Sequence, residues 1–128
     1  MHKILIVEDD ADLALVLRKN LESYHFQVVV AYDAFQATRT AHTEKPNLIF
    51  LDLNLPAGGG ISTLGNLKMS VNTTAIPVVV LTGTADEELI RRAQEKGVEA
   101  VMRKPYELKD LIAKVREILK IEAPEVPK

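Results

Sequence analysis

The chain of 128 residues predicts an α/β domain, a doubly wound parallel sheet built from five β-α units, (βα)5. Three observations lead there. Five short β-rich runs recur at Lys3 to Val7, Gln27 to Ala31, Asn47 to Asp52, Pro77 to Thr82 and Ala100 to Arg103. Four of these are near-continuous apolar stretches without alternation, the pattern of strands covered by helices on both faces. Segments with helical spacing separate the runs, and right-handed crossovers then put ligands at the carboxyl ends of the strands.

The first run is a strand because its apolar stretch stops after four residues at Glu8-Asp9-Asp10, too short for a signal-peptide core or a membrane span. Asp10 is placed to cap the helix that follows, whose predicted buried stripe is Leu13, Val16, Leu17 and Leu21. After the second strand, Asp33-x-x-Gln36 opens a second helix. The third strand, Leu48-Ile49-Phe50-Leu51, runs into Asp52. The third helix follows Gly58-Gly59-Gly60 and carries Ile61, Leu64 and Leu67. Gly65 inside it costs about 1 kcal/mol relative to alanine. Thr84-x-x-Glu87 reads as a capping box for a fourth helix with Leu89, Ile90 and Ala93, stopped by Gly97. The fifth strand is shorter and more mixed, as suits an edge. A last helix presents Leu108, Leu111, Ile112, Val115, Ile118 and Leu119. Glu122 to Lys128 carries two prolines and no core pattern, so the expected organisation is one domain over residues 1–121 and a linker-like or frayed tail over 122–128.

Composition narrows the function classes. At 47% hydrophobic and 27% charged residues the chain is balanced for a soluble globular domain. The absence of cysteine excludes a disulfide framework and fits a reducing, cytoplasmic setting. Lys+Arg 16 against Asp+Glu 18 leaves a net charge of -2, which argues against direct nucleic-acid binding by this domain. No stretch is predicted to enter a membrane.

The polar residues concentrate where the strands end: Glu8-Asp9-Asp10, Asp52, Thr82 and Lys104-Pro105. A parallel sheet brings those ends to one edge. Asp52 follows a wholly apolar strand, and a carboxylate there needs compensation. With Glu8 and Asp9 beside it, three like charges raise one another's pKa unless a cation neutralises them. Oxygen donors without His or Cys favour Mg2+. The plainer alternative is that the three acids only serve the positive end of the first helix. Lys104 adds a point charge and Thr82 a hydroxyl, both suited to a tetrahedral anion, although each is ordinary alone. Together these groups describe a phosphoryl acceptor in which Asp52 attacks phosphorus to give an aspartyl phosphate.

The motifs Ile4-Leu5-Ile6-Val7-Glu8-Asp9-Asp10, Leu51-Asp52-Leu53-Asn54-Leu55-Pro56, Val80-Leu81-Thr82-Gly83 and Lys104-Pro105-Tyr106 follow one another with gaps of 43, 30 and 22 residues from Asp9 to Asp52 to Thr82 to Lys104. In these, residues 2 to about 121 resemble the receiver domain of two-component response regulators. The resemblance implies a flavodoxin-like strand order 2-1-3-4-5. It implies Asp52 as phosphoacceptor, and Mg2+ held by Asp9, by Asp52, by the backbone carbonyl of Asn54 and, through water, by Glu8. It further implies that Thr82 and Lys104 contact the phosphoryl group and that the Lys104-Pro105 bond is cis. The implied partners are a sensor histidine kinase or phosphotransfer protein as donor, and a downstream effector or a C-terminal output domain.

Three positions depart from the family pattern. Val101 stands where receivers often carry the aromatic half of the switch. The loop Ala57-Gly58-Gly59-Gly60 replaces a common Gly-Met-Asp-Gly. The charges Arg91, Arg92, Glu95, Lys96 and Arg103 differ from those expected of receivers that dimerise through the fourth helix and fifth strand. The expected function is a phosphorylation-dependent switch acting through the distal helix 4, strand 5 and helix 5 face, and not a conventional enzyme. The alternatives are a docking module that works without phosphorylation, motivated by Val101, and a magnesium-dependent phosphohydrolase. Asn54 speaks against the latter, because it occupies the place of a second acid.

Overall fold

The computed structural model describes residues 1–122, so the tail expected from Glu122 lies, from 123 onward, outside the described residues. The chain alternates strands and helices: β1 (Lys3–Val7), α1 (Ala11–Ser23), β2 (Gln27–Ala31), α2 (Ala34–Glu44), β3 (Leu48–Leu51), a 3-10 turn (Pro56–Gly58), α3 (Gly59–Met69), β4 (Val78–Thr82), α4 (Glu87–Glu95), β5 (Ala100–Arg103) and α5 (Leu108–Leu119). All neighbouring strands pair in parallel, in the order β2-β1-β3-β4-β5. This is the predicted doubly wound (βα)5 sheet.

Burial explains the unbroken apolar runs. Every residue of β3 and β4 is buried. Their side chains alternate between two cores. One face packs Leu5, Val7, Ile49, Leu51, Val78 and Val80 against α2, α3 and α4. The other packs Ile4, Ile6, Leu48, Phe50, Val79 and Leu81 against α1 and α5. Fully burying one such side chain is worth about 1.5–3 kcal/mol, so the central strands carry much of the fold's stability.

Two sequence expectations need correction. In α1 the buried residues are Ala14, Leu17 and Leu21, whereas Leu13 and Val16 are 49% and 59% exposed. Ala14 is buried where Leu13 and Val16 are exposed, so the inward stripe runs through Ala14, Leu17 and Leu21, spaced three and four residues apart as one helix face requires. In α4 the cap is Asp86, not Thr84: its carboxylate accepts from the Leu89 amide at 3.1 Å. Asp86 immediately precedes the helix, and Thr84 lies two residues too early.

Other termini are built as expected. Asp10 accepts from the amides of Asp12 and Leu13, and Asp33 from that of Gln36. Gly97 ends α4 with φ +87, a conformation that favours glycine. At Gly60 the demand is steric. A Cβ there would lie 2.5 Å from the Leu53 carbonyl oxygen, so only glycine lets α3 approach the loop after β3.

Candidate functional site

The carboxyl ends of β1, β3, β4 and β5 bring Glu8, Asp9, Asp52, Thr82 and Lys104 to one edge, as a parallel sheet requires. Pairing sets their depth. The Asp52 amide donates to the Val7 carbonyl at 3.1 Å, and the Glu8 amide to Ala31 at 3.0 Å. Both acids therefore sit one step beyond the last strand residues, where Glu8 and Asp52 are each 7% exposed. Asp9 is exposed beside them.

Carboxylate oxygens of Glu8, Asp9 and Asp52 lie within 4.8 Å of one another. Lys104 enters from the end of β5. Its Nζ donates to Glu8 Oε1 at 2.8 Å and to Asp52 Oδ2 at 3.1 Å. The other Asp52 oxygen, Oδ1, accepts from the Asn54 amide at 2.9 Å, and Glu8 Oε2 accepts from the Asp10 amide at 3.2 Å. Burial pushes the Glu8 carboxyl above its ordinary pKa, with Asp52 adding to the shift; hydrogen bonds from Lys104 and the Asp10 amide act against it. For Lys104, burial opposes the charge, yet the hydrogen bonds and attraction of Glu8 and Asp52 prevail and raise its pKa.

Three carboxylates facing one ammonium leave a formal deficit equal to one divalent cation. The donors are hard oxygens, and neither His nor Cys belongs to the cluster. That set fits Mg2+, which takes few carboxylates and retains several waters. Thr82 is fully buried at the end of β4, and its hydroxyl accepts from the Thr84 amide at 3.2 Å. The Lys104-Pro105 peptide bond is cis. Val101 is half-buried and packs with the core beneath α4.

The surroundings of this edge carry no signal in the sequence. A groove of about 410 Å³ opens beside it, lined by Glu8, Leu13, Val16, Lys104, Pro105 and Tyr106 among others. The exposed Leu13 and Val16 thus line the same groove as Glu8 and Lys104. A second groove, of about 470 Å³, lies against α2 around Phe35, Arg39 and His42, away from the acids. No helix of the described residues is long and apolar enough to cross a membrane.

Similarity to known proteins agrees with this geometry. Residues 4–116 match the family described as Response regulator receiver domain. The chain is 36% identical over 119 residues to the phosphate regulon transcriptional regulatory protein PhoB of Escherichia coli, covering 93% of this chain and 52% of that protein. It spans about half the length of the curated relatives it matches. A two-component response regulator from Clostridium difficile superposes with a TM-score of 0.86 at 31% identity, covering 94% of this chain and 97% of the other. At the level of fold, the receiver domain of sensor histidine kinase PA1611 from Pseudomonas aeruginosa, solved with magnesium in its active-site cleft, gives a TM-score of 0.85 at 24% identity, with 93% and 98% coverage. With the five-stranded parallel sheet, the acidic cluster at its carboxyl edge and a family match across most of its length, the chain belongs to the response regulator receiver domain family.

Proposed function

We propose that the protein is a phosphorylation-dependent signalling switch in which Asp52 accepts a phosphoryl group. The observation that carries this reading is Lys104 bridging Glu8 and Asp52 within a cluster of three carboxylates at the carboxyl edge of the sheet. In the reaction an Asp52 oxygen forms a bond to phosphorus while the donor's phosphorus–nitrogen bond breaks, and the donor imidazole leaves with that electron pair. Asp9, Asp52 and the Asn54 backbone carbonyl would hold Mg2+, with Glu8 acting through metal-bound water. When bound, the ion would neutralise charge on the transferring group. Lys104 stabilises the phosphoryl oxygens as a cation beside Asp52, and the Thr82 hydroxyl donates to one of them.

The donor is a sensor histidine kinase or phosphotransfer protein. The receiver is assigned to residues 1–121. The output is a downstream effector or a C-terminal domain, since the similar PhoB proteins are transcriptional regulators of about twice this length. A cytoplasmic setting fits a cysteine-free signalling domain. Phosphorylation adds about 1.5 to 2 negative charges and biases the α4-β5-α5 face between two packings. The domain supports its own phosphorylation without being a conventional enzyme.

The decisive experiment is labelling by a small phosphodonor with Mg2+. Stoichiometric labelling that is lost in alkali and with hydroxylamine is expected of the native chain and none of Asp52→Asn; persistent labelling of the variant at the same site rejects the assignment. The half-buried Val101 keeps a second reading in view, a constitutive docking module. That module would bind its partner equally well with or without a phosphoryl mimic. Steady turnover of a generic phosphoester would instead favour a phosphohydrolase.

A further inference from the structure

Three consecutive side-chain-to-backbone hydrogen bonds leave the site through the β4–α4 connection. The Thr82 hydroxyl accepts from the Thr84 amide at 3.2 Å. The Thr84 hydroxyl accepts from the Asp86 amide at 3.1 Å. The Asp86 carboxylate accepts from the Leu89 amide at 3.1 Å and caps α4. Each link is an amide held by the side chain two or three residues before it. The chain therefore runs without a gap from a buried hydroxyl at the sheet edge into the first turn of a helix.

Other connections between the site and α4 are weaker. Arg103 Nη2 reaches Glu87 Oε1 at 3.0 Å, tying the residue before Lys104 to the same turn. Both side chains are more than half exposed, at 52% and 72%, and such pairs contribute little. Val101 packs from β5 against the core that also holds Leu89 and Ile90. Its β-branched side chain has few χ1 rotamers and no ring to swing.

We propose that Thr84 is a positioning residue of the switch, linking the Thr82 hydroxyl to the N-terminus of α4 through Asp86. The inference rests on the reading of Asp52 as phosphoacceptor. A hydroxyl has one donor and two acceptor lone pairs, so Thr82 can donate to a phosphoryl oxygen while it still accepts from Thr84. Drawing Thr82 toward Asp52 then draws the Thr84 amide after it. The Thr84 hydroxyl passes the displacement to Asp86, whose carboxylate fixes where α4 begins. The relay supplies by hydrogen bonding the coupling that Val101 is too small and too stiff to supply by a swinging side chain.

The test uses the full chain with Mg2+ and beryllofluoride as the phosphoryl mimic, followed by backbone amide chemical shifts. In the native sequence, mimic-induced shifts are expected at Thr82 and Lys104 and across Asp86 to Ile90. Thr84→Val keeps the size and branching but removes the accepting oxygen. It should retain the shifts at Thr82 and Lys104 and lose those from Asp86 to Ile90. Thr84→Ser restores the hydroxyl and should restore the α4 response, which a purely steric role would not require. An undiminished α4 response in Thr84→Val overturns the relay. Thr84→Ala, read the same way, serves if the valine variant does not fold. An absence of shifts at Thr82 and Lys104 in the native chain overturns the phosphoacceptor reading itself, and the relay with it.

Discussion

Strands β1 and β3 are almost completely buried, whereas β5 is half-buried through Met102 and exposed at Arg103. The site draws on both. Glu8, Asp9 and Asp52 stand on the buried centre of the sheet, and Lys104 reaches them from its exposed edge. The difference follows from charge. Clustered acids hold their spacing only on a backbone that cannot yield, since each carboxylate pushes on the next. Lys104, the cation that faces them, has a long, flexible stem and an edge strand beneath it. Rigidity at the centre and compliance at the edge are thus already present in the order β2-β1-β3-β4-β5.

Breaking the rigid side should have the largest effect. Gly60→Ala places a Cβ 2.5 Å from the Leu53 carbonyl oxygen, immediately after Asp52. Overpacking against backbone should cost about 3 kcal/mol, read from the denaturant midpoint, and should also disturb the amide shift of Asn54. A midpoint near the native one would show that the loop after β3 gives way easily, and the contrast with β5 would fall.

The compliant side is tested by Lys104→Met. Without Mg2+ the loss of the ammonium leaves Glu8 and Asp52 facing each other, at an expected cost of about 2 kcal/mol after allowance for partial exposure. Mg2+ affinity should move the other way, about tenfold tighter, because a competing positive charge is gone. Calorimetric titration of the variant checks both the sign and the size.

The smallest effect concerns Glu8 in the metal-free protein. Its carboxyl is raised in the fold, chiefly by burial. Between its ordinary pKa and that raised value the folded chain holds more protons than the unfolded one, so Glu8 makes stability fall as pH rises through the window. Denaturant midpoints measured against pH in chelator should show this slope, and Glu8→Gln should flatten it. An unchanged slope in the variant would move the effect to another group.

Much of this contrast was legible in the residues. Leu48-Ile49-Phe50-Leu51 before Asp52, and two further apolar runs ending in polar residues, indicate a parallel sheet and one functional edge, because burial on both faces removes the polar alternation. The mixed composition of Ala100 to Arg103 marked the edge strand for the same reason. What escaped the sequence depends on close approach. Ala14 carries little hydrophobic signal beside Leu13 and Val16, yet it is the one of the three that is buried. Both Thr84 and Asp86 are competent caps, and only the hydrogen bond to Leu89 distinguishes them. Nothing in the spelling of Gly58-Gly59-Gly60 shows that the third glycine meets the Leu53 carbonyl.

The exposed Leu13 and Val16 bear on the reactivity expected if Asp52 accepts a phosphoryl group. They share a groove with Glu8 and Lys104, so a partner that covers them takes bulk water from the same mouth. As the local dielectric falls, the pull of Lys104 on any anion held beside Asp52 grows. Covering Leu13 and Val16 would therefore strengthen that pull with no residue of the cluster having to move.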